Sequence, residues 1–189
     1  MGKKNSITTC DYINFDEALN TAIKLMKHQK TEMLGFYIIV SIYTGLRSGD
    51  VKQLTFENLG REMLILKEQK TNKAREIQIN PMIHKAMAKI TRTKKEGLIF
   101  LSQKNTIISN QQLNKLLQET AFSHLVGNFC KISTHSLRKT FGRRVYEMNG
   151  KSEDCLMYLS QMFNHSSIGL TRVYLGIRKE ELNKIYMAL

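Results

Sequence analysis

The sequence predicts a mainly α fold carrying one small antiparallel β-sheet, an α+β arrangement, and three observations lead there. Apolar residues recur at helical spacing along most of the chain. Pro81 is the one proline in 189 residues, so little interrupts that periodicity. A single pair of strand-like segments flanks a lysine-rich connection, the pattern of a hairpin. A hydrophobic content of 42% over this length supports one buried core, hence one domain or one domain with a small appendage.

Taken in order, Asn14 with Glu17 predicts a capping box opening a helix with Phe15, Leu19, Ile23 and Met26 on its apolar side. The apolar stretch from Met33 to Leu46 is too short to cross a bilayer comfortably and contains Tyr, Ser, Thr and Gly, so it reads as a buried core helix over Met33 to Tyr43. That helix stops near Thr44-Gly45-Leu46, and a short one restarts at Ser48 or Gly49 and runs to Leu54. Met63 to Lys67 and Glu76 to Ile79 read as the two strands, with Glu68 to Arg75 as the basic tip between them. Asn80-Pro81 opens a helix to about Ile90, Leu98 to Leu101 reads as a short buried strand, and Ser109 with Gln112 caps a helix ending near Phe122. Helices then follow over Thr134 to Met148, Glu153 to Phe163, a short piece before Tyr174, and Arg178 to Met187.

The 29 Lys plus Arg against 16 Asp plus Glu leave a net charge of +13, which makes nucleic acid the first expected partner and an acidic membrane surface the second. Cys10, Cys130 and Cys155 are odd in number and lack Cys-x-x-Cys spacing, which suggests neither a disulfide framework nor a zinc site and fits a reducing cytoplasm. Met1 to Thr9 is basic and polar, without the apolar run of a secretory signal.

Three segments carry candidate chemistry. Arg47 ends Thr44-Gly45-Leu46-Arg47 three residues before Asp50, whose carboxylate is expected either to pin the guanidinium or to bond a neighbouring backbone amide. In Thr134-His135-Ser136-Leu137-Arg138, three-residue spacing puts His135 and Arg138 on one helix face and turns Leu137 toward the core. Tyr174 follows His165 by nine positions, near enough for a turn and a short helix to bring both to one cleft, with Tyr158 and Tyr186 as competing nucleophiles. Read singly, the first two segments are better explained as a surface ion pair and a capped helix, and the third as readily as a packed tyrosine. Together they supply two arginines able to bracket a phosphate and a hydroxyl able to attack it.

In order and spacing, Thr44-Gly45-Leu46-Arg47 with Asp50, His135-Ser136-Leu137-Arg138, and His165-Ser166-Ser167-Ile168 ending at Tyr174 resemble the signature of the tyrosine recombinase or phage integrase family, over nearly the whole chain. The resemblance implies that family's catalytic-domain fold. It also implies site-specific DNA recombination through a 3′-phosphotyrosine intermediate without a metal or other cofactor. Tyr174 would be the nucleophile, Arg47 and Arg138 the phosphate clamp and His165 a further donor. Lys70 at the hairpin tip, with Lys73 as the fallback, would protonate the leaving 5′-oxygen, and His135 would assist proton transfer. Asp50 would support the site, and Lys73, Arg75, Lys139 and Arg172 are candidate DNA contacts. Asp50 stands where the family usually has glutamate, Asn164 where glycine is frequent, and the usual glycine-lysine-glycine tip is absent.

The expected organisation is a basic segment over 1–13, a catalytic domain over 14–176 and a tail helix over 177–189 available for exchange between protomers. No separate N-terminal DNA-gripping domain fits before Asn14, so the chain is either a catalytic fragment of a longer integrase or a short recombinase resembling the fimbrial phase-switch enzymes. The expected partners are double-stranded DNA and three further copies at synapsis, with a monomer allowed in solution, no membrane, and a bacterial cytoplasm associated with the nucleoid. A type IB topoisomerase and a non-catalytic DNA-binding regulator of the same fold are the competing functions. Strand exchange separates the first from a recombinase, and loss of covalent cleavage identifies the second.

Overall fold

The computed structural model describes residues 10–70, 72–91, 95–125 and 131–188, the backbone alone at 179 and 180. Its elements are α1 (Phe15–Leu25), α2 (Glu32–Thr44), α3 (Ser48–Val51), α4 (Phe56–Leu59), the hairpin β1 (Met63–Lys67) and β2 (Ala74–Gln78), α5 (Pro81–Ala88), α6 (Asn110–Leu116), α7 (Thr134–Met148), α8 (Glu153–Phe163), α9 (Ile168–Tyr174) and α10 (Ile177–Met187). The mainly helical class with one antiparallel pair is as expected. Cys130, Thr71 at the hairpin tip and the basic segment 1–9 lie outside the described residues; Cys10 and Cys155 are buried.

Local differences from the sequence reading have identifiable causes. Asn14 caps α1 by accepting from the amides of Asp16 and Glu17, but the box is not closed, because the Glu17 carboxylate bonds His124 Nε2 at 2.8 Å instead. Ser109 and Gln112 do form a closed box, after which α6 widens into a π-turn over Leu117–Ala121. Helix α4, not anticipated, is opened by a second box between Thr55 and Asn58. Strand β2 begins at Ala74, two residues early, since Lys67 pairs with Ala74 and Leu66 with Arg75. The Leu98 to Leu101 segment makes only isolated bridges, Thr55 with Leu98 and Leu101 with Ile107, and is not a strand.

Helix α2 is the axis of the larger core. Nearly every side chain from Leu34 to Ile42 is buried, as a helix apolar on all sides must be, and α1, α5 and α7 pack around it. A second apolar cluster joins Tyr146, Cys155, Leu156, Leu159, Phe163, Tyr174, Leu175 and Ile177. Helix α7 serves both, with Leu137 in the first cluster and Tyr146 in the second. In α10, Ile177 is buried while Leu182, Ile185, Tyr186 and Met187 remain exposed, so the tail helix is anchored at its start and uncovered beyond. No helix among the described residues is long and apolar enough to cross a membrane.

The turn at Gly45 closes α2 and aims Arg47. Gly45 has φ +59, and a Cβ there would meet Phe141 Cδ1 at 2.3 Å. Gly45→Ala is therefore expected to lower stability by roughly 2–4 kcal/mol, from left-handed strain plus overpacking, measured as a shift in the urea unfolding midpoint at unchanged slope.

Candidate active site

A helix ends with carbonyls that lack intrahelical partners and with the negative end of its dipole. Helix α8 ends at Phe163, with Asn164 left-handed at φ 54, and other elements bring arginines to those carbonyls. Arg47 Nη2, from the α2–α3 turn, donates to Phe163 O at 2.8 Å. Arg138 Nη2, from the second turn of α7, donates to the same oxygen at 3.3 Å. Arg75 Nη1, from β2, reaches Met162 O at 3.2 Å. Arg138 is also fixed by Gly45 O and lies 4.5 Å over the Phe163 ring. Burial pulls its pKa down to about 10, with Arg47 and Arg75 acting the same way and Tyr174 opposing, so it stays cationic at neutral pH.

Glu68, at the end of β1, ties this cluster together and was not legible in advance. One carboxylate oxygen accepts from Arg47 Nη1 at 2.6 Å, the other from Arg75 Nη1 at 3.1 Å. Asp50 makes no hydrogen bond to the Arg47 guanidinium. Its Oδ1 accepts from the Gln69 backbone amide at 2.9 Å, so it braces the hairpin tip rather than the arginine. The one signal for Glu68 in the sequence was an acid standing between Lys67 and Lys70 in an otherwise basic tip.

Lys70 follows on the exposed turn, and its charge is felt by His135. Lys73 Nζ donates to Asn164 Oδ1 at 2.8 Å. His135 sits at the start of α7 with its outer edge exposed. Desolvation of its ring by the surrounding protein, together with Arg138, Lys139, Lys70 and Arg47, holds its pKa below the ordinary value. His165 packs against both rings that matter here, 5.1 Å from Tyr174 and 5.5 Å from Phe163 between centroids. Its Nδ1 lies 2.9 Å from Thr171 Oγ1, a fully buried hydroxyl one helical turn before the tyrosine and a further contact the sequence did not reveal. Burial, then Arg138 and Arg47, bring the His165 pKa down to about 4, so the imidazole is neutral at pH 7.

Tyr174 is the last residue of α9 and is 8% exposed. Its hydroxyl is buried, and no donor or acceptor meets it in hydrogen-bonding geometry, although Arg138 is close enough to act on it electrostatically. Burial raises its pKa to about 12, against the pull of Arg138 and Arg47. Lys139 lies 5.1 Å over the Tyr174 ring, with Nζ donating to Cys10 O at 2.6 Å. Arg172 turns away from the cluster, paired with Glu153 and with Glu181 at 2.6 Å. All four expected DNA contacts, Lys73, Arg75, Lys139 and Arg172, are thus engaged within the protein. Tyr158 and Tyr186 are exposed on α8 and α10. Among the described residues there is no group of three or more His, Cys, Asp or Glu suited to a metal ion.

Comparison with known proteins gives this geometry a context. The model of the phage integrase family matches residues 14–181. The probable integrase/recombinase YoeC of Bacillus subtilis (strain 168) is 30% identical over 154 residues, 80% of this chain and 81% of that protein. Among solved structures, XerH recombinase in a post-cleavage complex with palindromic difH DNA superposes with a TM-score of 0.68 at 18% identity, over 95% of this chain and 53% of that one. XerA recombinase gives 0.63 at 17%, over 100% and 66%. A lambda integrase dimer bound to a core site gives 0.64 at 16%, over 90% and 61%. The chain therefore spans between about half and two thirds of these structural neighbours.

A neutral, desolvated His165 links the site to acid stability. Between its ordinary pKa of 6.5 and about 4, the unfolded chain binds a proton that the folded chain does not, so stability falls as pH drops through that window. His165→Gln should remove roughly 1–3 kcal/mol of this loss, allowing for partial exposure. Urea unfolding at about pH 7, 5.5 and 4.5 would show it; parallel pH profiles for variant and wild type would assign the acid limb to other groups.

Proposed function

This chain belongs to the phage integrase family, the tyrosine-type site-specific recombinases, and we propose that it cuts and rejoins duplex DNA with Tyr174 as nucleophile. The observation that carries the proposal is the convergence of Arg47 and Arg138 on one oxygen, Phe163 O, beside the Tyr174 ring. Two guanidinium groups already aimed at a single acceptor need little reorganisation to meet the nonbridging oxygens of a phosphate as charge builds on them. The XerH and lambda integrase neighbours were solved on DNA, which supports double-stranded DNA as the partner, as does the +13 charge.

In this reading the Tyr174 oxygen attacks the scissile phosphorus, a 3′-phosphotyrosine bond forms, and the 5′-oxygen leaves with a proton from Lys70. Lys70 is preferred to Lys73 because its field reaches His135, whereas Lys73 is held by Asn164. In the tautomer in which Nδ1 accepts from Thr171, neutral His165 carries its proton on Nε2 and can give a hydrogen bond to the phosphate. His135, its pKa held below the ordinary value by desolvation and then by its cationic neighbours, can accept the phenol proton. The buried Tyr174 hydroxyl has to leave its packed position, and α9 is short enough to move as a unit. The ester conserves the energy of the cut bond, so rejoining needs no nucleotide. Arg75 and Lys139 position the site from within, residues 14–176 form the catalytic unit, and the uncovered apolar residues of α10 suit docking on a neighbouring copy in a tetramer on DNA. Such a protein would work on the chromosome in a bacterial cytoplasm.

On a nicked suicide duplex with chelator present, the wild-type chain is expected to form a covalent adduct that Tyr174→Phe abolishes. An adduct surviving that change would identify another nucleophile, and tight binding to a proven site without any adduct would favour a non-catalytic binder. Affinity for duplex DNA should fall by roughly 10³ or more between about 50 and 200 mM salt, as expected for several phosphate contacts. A shallow salt dependence in fluorescence anisotropy would contradict the DNA-binding reading.

A further inference from the structure

We propose that Glu68 is a positioning residue for strand cleavage, which fixes the Arg47 guanidinium and ties it to the hairpin that carries Lys70. The inference rests on the recombinase reading above. Three features carry it: the double ion pair, the depth of the carboxylate and its place in the hairpin.

The Glu68 side chain is 5% exposed and Arg47 19%, so the carboxylate lies beneath the arginine rather than on the open side of the site. Its two oxygens are directed to two different guanidinium groups, Arg47 and Arg75. Both arginines also bond the end of α8, so strand β1, strand β2, the α2–α3 turn and α8 meet around one carboxylate. A guanidinium has five N–H donors. Glu68 and Phe163 O take one on each Nη of Arg47, which leaves Nε–H and one hydrogen on each Nη for an incoming phosphate.

The hairpin closes on the same residue. Glu68 N donates to Lys73 O at 2.9 Å, Asn72 N donates to Glu68 O at 2.8 Å, and Asp50 holds the next amide, that of Gln69. Lys70 is two positions further on, so a displacement of Glu68 moves the proposed acid and the proposed clamp together. A rival role is conceivable for such a group: a carboxylate bonded to Arg47 could compete with the DNA phosphate. Its depth and its second bond to Arg75 favour positioning, and the two roles predict opposite signs on removing the charge.

The test is single-turnover cleavage of a nicked duplex that the chain has selected from a randomised pool, at saturating protein, for wild type, Glu68→Gln, Glu68→Asp and Tyr174→Phe. Glu68→Gln keeps the shape and removes the charge. It should slow cleavage at least about tenfold while DNA affinity stays within about threefold, and Glu68→Asp should recover part of the rate. A second duplex carries a methylphosphonate at the scissile position, where a neutral methyl replaces one charged oxygen. There the ratio of wild type to Glu68→Gln should shrink, because less charge needs Arg47. Cleavage by Glu68→Gln at the wild-type rate or faster would overturn the proposal, the latter in favour of competition. An equal deficit on both duplexes would reduce Glu68 to fold maintenance and also overturn it. Tyr174→Phe separates the layers: an adduct without Tyr174, or none from wild type, removes the recombinase reading and this inference with it. Tyr174-dependent cleavage indifferent to Glu68 removes the inference alone.

Discussion

Arg47, Arg138 and Arg75 share the C-terminal carbonyls of α8, and the arrangement of the candidate site depends on that shared helix end. Like charges brought this close repel one another, more so where burial removes water. The end of a helix offers what offsets the repulsion, namely carbonyl oxygens without partners and the negative pole of the dipole. Glu68 adds a full negative charge bonded to two of these arginines. In this way a chain of net charge +13 gathers cations at one point before any phosphate arrives. In the proposed reaction the cost of assembling these cations is already met in folding, which is what electrostatic preorganisation requires.

The same crowding sets the protonation states. His165 is driven down to about 4 and Arg138 to about 10 by burial among cations, while burial drives Tyr174 up to about 12. A neutral imidazole beside a protonated phenol is a resting arrangement. The Tyr174 hydroxyl meets no partner in full hydrogen-bonding geometry; it feels Arg138 nearby, and its ring is packed by Phe163 and His165 with the Lys139 ammonium over its face. A phosphate anion entering the cationic cluster would favour protonated neighbours, and exposure of the phenol would relieve the desolvation that now disfavours its ionised form.

How far the sequence could be read differs from residue to residue. Arg47, His135, Arg138, His165 and Tyr174 could be singled out as candidates, because each sits beside a helix end or on a helix face whose signal is contained in a few neighbouring residues. The helix containing His135 and Arg138 begins at Thr134 and α8 ends at Phe163, at the positions the pattern gives. Glu68 was not legible, since its meaning lies in Arg47, 21 positions away, and in Arg75 across the hairpin. Asp50 was legible as a bracing group but not in what it braces, because the Gln69 amide is brought to it by the fold of the hairpin. The early start of β2 had the same cause: alternation in Glu76 to Ile79 marks one face, whereas pairing with Lys67 and Leu66 decides where the strand begins.

By itself the sequence determined the helical class, the hairpin, most helix ends and the set of groups able to do phosphoryl chemistry, all of which follow from periodicity, caps and residue type over short spans. Only the tertiary structure decided that Arg47 and Arg138 meet at Phe163 O, that Glu68 is buried against Arg47, that Lys73, Arg75, Lys139 and Arg172 make internal contacts, and that Tyr174 is buried. The physical reason is distance along the chain. Arg47 and Phe163 are 116 positions apart, and no local propensity encodes which carbonyl a guanidinium will find once the core has closed around both.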